Sequence, residues 1–300
     1  MEDQRQGRTP TVSVVIPVFN GARYLRQAID SVLAQSYGDM ELIVVDSGST
    51  DDTPAILREY PSVRWLTLAR NEGPAKARNY GVHHARGGYV AFLDHDDLWY
   101  PQKLALQVSV LKEDLSVGVI YTDQEWVDMD GRTLQRVECS NWPKGYEKIF
   151  YGGHNVGPST MMVRKGLLEQ VGLFDEELWF LEDKDLLIRL FDVCTFRRVG
   201  EVLIKKRLQP RHFSVRHQLE QMVLDSHHRF LLKLSRRPLT AEQRRLIEQE
   251  WSVYYSDLGK HWMRRGKRAL AIRNFAESLR RDPFRAKTYG RMLRCVVGLS

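Results

Sequence analysis

The stretch Tyr89-Val90-Ala91-Phe92-Leu93-Asp94-His95-Asp96-Asp97 runs five apolar or aromatic residues straight into three carboxylates within four positions. Gly87-Gly88 bounds it on the N-terminal side. An uninterrupted apolar run of this length reads as a strand buried on both faces of a parallel sheet. In open α/β sheets, ligands bind outside the carboxyl ends of the strands, where Asp94, Asp96 and Asp97 fall. Negative charge packed this densely needs a compensating cation. A hard divalent metal, held by one or two carboxylates together with a substrate phosphate, meets that need. A polar turn of solvated aspartates is the plainer alternative.

Working outward, the same grammar repeats. Val12–Val18 is a β-branched run, and Asn20-Gly21 breaks it. Arg23–Gln35 follows with helical spacing at Leu25, Ile29, Val32 and Leu33. Glu41–Asp46 is a second strand, and it opens into Ser47-Gly48-Ser49-Thr50-Asp51-Asp52-Thr53, a loop rich in helix-capping residues. A helix to Tyr60 follows, with Pro54 in its first turn. Val63–Leu68 is a third strand and Gly73–Ala85 a helix. Strands alternating with helices of this size predict right-handed βαβ crossovers and a mostly parallel sheet.

The pattern is less regular beyond that point. Val117–Tyr121 reads as a short strand, Val127–Gln135 as a hairpin around Asp130-Gly131, Ser159–Arg164 as a strand, and Lys165–Val171 and Glu182–Phe191 as helices. After about Gln218 everything reads as helix. Tyr255, Leu258, Gly259, Gly266, Ala269, Phe275, Ala276 and Pro283 resemble one tetratricopeptide-type hairpin.

The chain of 300 residues is 43% hydrophobic and free of biased tracts, an ordinary globular composition. No apolar run reaches the roughly 18 residues of a membrane span. The polar stretch Met1–Pro10 lacks the apolar core of a signal peptide and reads as disordered. Cys139, Cys194 and Cys295 give neither metal-type spacing nor an even disulfide framework, which implies a reducing, cytoplasmic setting. The net charge of +7 gathers from Arg197 onward, at Arg197-Arg198, Lys205-Lys206-Arg207, Arg236-Arg237, Arg264-Arg265 and Arg280-Arg281. The chain shows no nucleic-acid module and no aromatic–basic interleaving. The basic excess points instead to an anionic membrane surface, with peripheral association, or to a phosphate-bearing substrate.

Three acidic sites carry the chemistry, each read as lying after a strand: Asp46, the Asp94-His95-Asp96 group and Glu182-Asp183. The first two face one crevice if the sheet is parallel. Asp46 alone serves equally as an N-cap or Asx-turn residue. In Asn71-Glu72-Gly73-Pro74-Ala75-Lys76-Ala77-Arg78-Asn79, Lys76 and Arg78 near a helix N-terminus suit phosphate oxygens. A capped helix with a solvated basic face is the alternative there. Read alone, Glu182-Asp183 is an acidic pair favoured by a helix dipole.

Together these segments resemble the family 2 glycosyltransferases. The resemblance rests on Val12–Asn20, Val44–Asp52, Asn71-Glu72-Gly73, Ala77-Arg78-Asn79, Phe92–Asp97 and Trp179–Leu190, and covers about Thr11 to Pro210. It implies an α/β GT-A fold: a Rossmann-like, mostly parallel sheet over residues 11–217 with a C-terminal helical extension over 218–300. It implies inverting transfer from a nucleotide-sugar, UDP-sugars first, to a glycan or lipid-linked acceptor. Carried over by position, Pro17, Val18, Phe19, Asn20 and Asp46 hold the base and Asp94 the ribose. Asn71, Lys76, Arg78 and His95 complete the donor site. Asp96 coordinates Mn²⁺ or Mg²⁺ with the diphosphate, Asp183 is the general base and Glu182 orients the acceptor. Many relatives carry a His-Pro pair whose His contacts the metal. Here Gln209-Pro210 stands in that place, and either His212 takes the role or it is vacant.

Three other readings compete. A nucleotidyltransferase would need a Gly-rich, Lys/Arg-bearing loop after the first strand, where Asn20-Gly21-Ala22-Arg23 stands. A non-catalytic nucleotide-sugar scaffold need not keep Asp94, Asp96 and Asp183 together. A polyprenyl-phosphate sugar transferase remains open within the family. The oligomeric state is not legible.

Overall fold

The computed structural model describes residues 10–139, 156–208 and 213–297, with side chains in the last range from residue 219. Met1–Thr9, Gln209-Pro210 and His212 lie outside the described residues, as do residues 140–155. Contacts divide the chain into two compact units. The first comprises residues 1–176 and 182–210, the second residues 177–181 and 211–300.

The first unit is built on nine strands: β1 (Val12–Val18), β2 (Met40–Asp46), β3 (Arg64–Thr67), β4 (Tyr89–Phe92), β5 (Leu98–Trp99), β6 (Val117–Val127), β7 (Thr133–Val137), β8 (Met161–Arg164) and β9 (Thr195–Arg207). They form one sheet in the order β3-β2-β1-β4-β8-β6-β9-β5, with β7 hairpinned onto β6. β3, β2, β1 and β4 are mutually parallel. β8 runs against both β4 and β6, and β6 and β9 are again parallel. The sheet is therefore mixed, and its parallel half is the half in which strands and helices alternate along the sequence.

Burial explains the strands. Every residue of β1 is buried, and Ile43, Val44 and Val45 of β2 are fully so. Helices α1 (Leu25–Leu33), α2 (Thr53–Leu57), α3 (Pro74–His84) and α4 (Lys103–Glu113) follow strands in sequence. Leu25, Ile29 and Val32 of α1 join Leu104, Val108 and Leu111 of α4 in the core cluster. α5 (Lys165–Val171) and α6 (Glu182–Phe191) complete the unit, with a 3-10 turn at Pro158–Thr160 leading into β8.

Besides the two-residue β5, three elements depart from the sequence reading. The strand from Val117 continues to Val127, because Asp123 and Glu125, which interrupt the apolar pattern, are buried in ion pairs. β9, which no apolar run marks, supplies their partners: Arg198 with Asp123 and Lys205 with Glu125. α4, equally unmarked, buries Lys103 and Gln107 along its length. Arg198 and Lys205, two of the basic side chains gathered from Arg197 onward, are engaged in this way rather than displayed.

The second unit holds α7 (Phe213–Ser235), α8 (Ala241–Arg264), α9 (Arg268–Arg281) and α10 (Ala286–Val297). Thr240 caps α8 through a capping box with Gln243. Gly259 lets α9 approach: a Cβ there would stand 2.6 Å from the Phe275 ring. Buried hydroxyls knit the hairpin, with Ser252 and Ser278 bonded to each other and Thr288 donating to Ser256 at 2.8 Å.

Candidate active site

The carboxyl ends of β1, β2 and β4 share one edge, because Val18 pairs with Asp46 and Val15 with Phe92 in parallel register. The loops leaving that edge are tied together. Pro17 and Val18 end β1, and Phe19 is exposed beyond them. Asn20 takes a left-handed backbone, φ 50°, which a short polar side chain tolerates. Its N–H donates to Ser49 Oγ at 2.9 Å, and its Oδ1 accepts from the Thr50 N–H at 2.8 Å. Asp46 is buried, and its Oδ1 accepts from the Ser49 N–H, three residues on, at 2.9 Å, so it braces the loop. His95 lies over the β1 loop: a Cβ on Gly21 would stand 2.6 Å from its ring.

Asn71 Oδ1 accepts from the Gly73 N–H at 3.0 Å, shaping the start of α3, where Gly73 has φ 95°. Lys76 pairs with Glu176 at 3.3 Å. Arg78 does not lie open at the helix N-terminus as a phosphate ligand. It is 4% exposed and bridges two carboxylates, donating to Asp94 Oδ1 and to Glu182 Oε1 at 2.7 Å each. Phe174 stacks beneath it at 5.3 Å. One guanidinium thus joins acidic motifs 88 residues apart in the chain, the end of β4 and the start of α6.

The electrostatics follow. Burial would raise the Asp94 carboxyl, but Arg78, with Lys206 and His95 adding to it, holds the group below the usual range. Burial first, and the charge of Asp183 second, push Glu182 up to about 7 against the pull of Arg78. Glu182-Asp183 opens a helix rather than following a strand, and Asp183 is half-buried. The residue before the pair, Leu181, has φ 67°, strained for a branched side chain.

Asp97 faces inward. It accepts from Ser159 Oγ–H at 2.8 Å and from the Arg207 N–H at 3.0 Å. Burial, then the charges of Asp94 and Asp96, push it up to about 8. Ser159 Oγ also accepts from the Asp94 N–H, and Arg207 donates to the Asp96 carbonyl at 2.7 Å. Ser159, Lys206, Arg207 and Phe174 are site residues that sequence reasoning missed. No spacing marks Ser159 or Phe174, and the Lys205-Lys206-Arg207 run reads as surface charge until β9 brings it beside β5.

The carboxylate cluster is thus partly balanced by the protein's own cations, Arg78 and Lys206. Among the described residues, no three His, Cys, Asp or Glu side chains form a ready-made metal cage. Asp94 is tied to Arg78 and Asp97 turns inward, and together with Asp96 they place carboxylate oxygens at this edge of the sheet. Such a set fits a hard divalent ion that takes its remaining ligands from a diphosphate and water.

Residues 13–172 match the family model described as glycosyl transferase family 2. The chain belongs to that family. An uncharacterized glycosyltransferase of Rickettsia prowazekii is 34% identical over 260 residues, 83% of this chain and 79% of that one. The chain spans about a third of three longer rickettsial relatives. Chondroitin synthase of Escherichia coli is 29% identical over 70% of this chain and 30% of its own. Among solved structures, residues 1–349 of Staphylococcus aureus TarS in complex with UDP-GlcNAc superpose with a TM-score of 0.69 at 18% identity, covering 96% of this chain and 92% of that one. The mannosyltransferase PcManGT of Pyrobaculum calidifontis, in complex with GDP-Man and Mn²⁺, gives 0.60 at 19%, covering 97% and 87%. This family 2 member is therefore a glycosyltransferase with a GT-A fold and a C-terminal helical region.

Proposed function

We propose that the chain is an inverting transferase that moves one sugar from a nucleotide-diphosphate donor, UDP-sugars first, to a hydroxyl of a glycan or lipid-linked acceptor during synthesis of a cell-surface polysaccharide. The observation that carries this reading is the Arg78 bridge, which joins the Asp94 end of the donor edge to the Glu182-Asp183 pair. Chondroitin synthase among the relatives supports the polysaccharide setting, and the UDP-GlcNAc complex of TarS supports the donor class.

In this reading the loops of Pro17–Asn20 and Asp46 receive the base. Asp94 meets the ribose, with Asn71, Lys76 and His95 around the rest of the donor. Arg78 acts behind Asp94 and Glu182 as a positioning residue. Asp183 takes the proton of the acceptor hydroxyl. That oxygen attacks the anomeric carbon from the face opposite the leaving group, and the carbon–oxygen bond to the diphosphate breaks with inversion. A carboxylate base is adequate, because proton transfer can lag bond breaking in an oxocarbenium-like transition state. Glu182, raised to about 7 by burial and the charge of Asp183, stands beside the base and orients the acceptor. Asp96 would hold Mn²⁺ or Mg²⁺ together with the diphosphate, and the ion would supply Lewis-acid neutralisation of the leaving group. His212, as a further metal contact, stays an expectation of the resemblance. No described helix is long and apolar enough to cross a membrane. A reducing, cytoplasmic setting is our reading of the cysteine pattern in the sequence.

The test is a thermal-shift screen of UDP-, GDP- and dTDP-sugars with Mn²⁺, followed by Asp183→Asn. The variant is expected to keep donor binding and to lose transfer by roughly two to four orders of magnitude. Wild-type turnover would move the base elsewhere.

A further inference from the structure

The last helix, α10, carries two apolar faces, and the described fold uses one. Thr288 and Cys295 are buried, and Met292 packs with them against the Ala271–Phe275 cluster of α9. At 3.6 residues per turn, Tyr289, Leu293, Val296 and Val297 share a second arc of about 100°. They are 52%, 64%, 59% and 60% exposed. Phe284, just before the helix, is 94% exposed. Lys287 and Arg294 are exposed on the adjoining arc and have no acidic partner among the described residues. Arg291, by contrast, is engaged by Asp257 at 2.9 Å.

The charge of the surroundings selects the occupant. Residues 268–300 hold eight basic side chains and two acidic ones; Glu277, Glu248 and Asp257 engage Arg280, Arg281 and Arg291, and Lys287 and Arg294 beside the stripe stay in excess. Apposing two copies of this face would bring like charge together, whereas an anionic surface complements it. An exposed apolar stripe of this width flanked by Lys and Arg is the pattern of a helix lying in a membrane interface. We propose that the Tyr289–Leu293–Val296–Val297 face of α10, with Phe284, docks on an anionic lipid surface. The apolar stripe sits at the acyl boundary, while Lys287 and Arg294 reach back to lipid phosphates along their aliphatic stems. This docking is independent of the sugar-transfer chemistry.

The experiment is flotation of the full chain with two vesicle types at low ionic strength. One is phosphatidylcholine alone, and in the other about a third of the lipid is phosphatidylglycerol. The wild type is expected to float with the anionic vesicles and to be largely released near 1 M salt, where screening is short-ranged. The pair Lys287→Glu and Arg294→Glu is expected to weaken that partition at least about tenfold, since each basic residue near the surface contributes about fivefold. Leu293→Glu is expected to abolish it with unchanged circular dichroism. Wild-type chain that stays unbound to both vesicles overturns the proposal. So does a concentration-dependent dimer in gel filtration that Leu293→Glu dissolves, because the face would then belong to a second copy.

Discussion

Replacing Arg78 with Met removes one buried cation from between two carboxylates, Glu182, which is buried, and Asp94, whose side chain is 30% exposed. Each bond is 2.7 Å long, and the guanidinium is 4% exposed. Breaking a buried pair by deleting one partner costs about 3–5 kcal/mol, because the remaining charge is left uncompensated in a poorly solvated place. The loss has a pH signature. With Arg78 present, the Asp94 carboxyl is held below its ordinary range, so its contribution is present above that range and lost on acidification. Without Arg78, Glu182 is a buried acid and Asp94 a half-buried one, each without its bridging guanidinium, and their folded-state pKa values rise. Glu182 already stands at about 7. Acids raised in the folded state take up protons there first, so the penalty is smallest at low pH and grows as pH climbs. A tenfold change in the proton affinity of either carboxylate is worth about 1.4 kcal/mol. Urea titrations of wild type and Arg78→Met at pH 5 and pH 8, followed by tryptophan fluorescence, are expected to show a loss of roughly 3–5 kcal/mol at pH 8 and clearly less at pH 5. Arg78→Lys is expected to fall between, since one ammonium cannot span both carboxylates as a planar fork does. An equal loss at both pH values, or one below about 1 kcal/mol, would refute the buried-bridge reasoning.

Three further outcomes are expected. Asp96→Ala should leave the fold intact and remove the Mn²⁺-dependent part of UDP binding; unchanged UDP affinity with Mn²⁺ present would end the metal assignment. Lys103 is fully buried against Trp99 and Gln107, and burial drives its pKa well below the ordinary lysine value. The unfolded chain therefore binds the extra proton, so wild-type stability should rise as pH climbs toward the ordinary lysine range. Lys103→Met should flatten that slope, and parallel stability curves would contradict it. Gly21→Ala places a Cβ 2.5 Å from Val18 Cγ2 and 2.6 Å from the His95 ring. Overpacking there should destabilise the first unit by about 1–3 kcal/mol and weaken donor binding, with a wild-type melt and a wild-type UDP titration as the opposing result.

The legible part of the fold is the part made of continuous apolar runs. β1, β2 and β4 bury nearly every residue, so their hydrophobicity alone marks them. β9 and the second half of β6 were not legible, because their polar residues satisfy one another across the sheet and each looks solvated without its partner. The same holds for Lys103 and Gln107, which make α4 read as less amphipathic than its burial requires. Among the proposed site residues, the Asp46 loop, Asp94–Asp97 and Glu182-Asp183 stood out by composition. Ser159, Lys206 and Phe174 did not, since nothing in a single serine, lysine or phenylalanine announces its neighbours.

Sequence by itself determined the parallel half of the sheet, the family and the acidic motifs, because each is written in contiguous residues whose local pattern suffices. Tertiary structure alone decided which partners each carboxylate takes. Arg78 claims Asp94 and Glu182, and Ser159 and Arg207 claim Asp97. That partition depends on distances between groups up to 110 residues apart in the chain. Burial then converts those distances into charge states, through a desolvation cost that no linear pattern encodes.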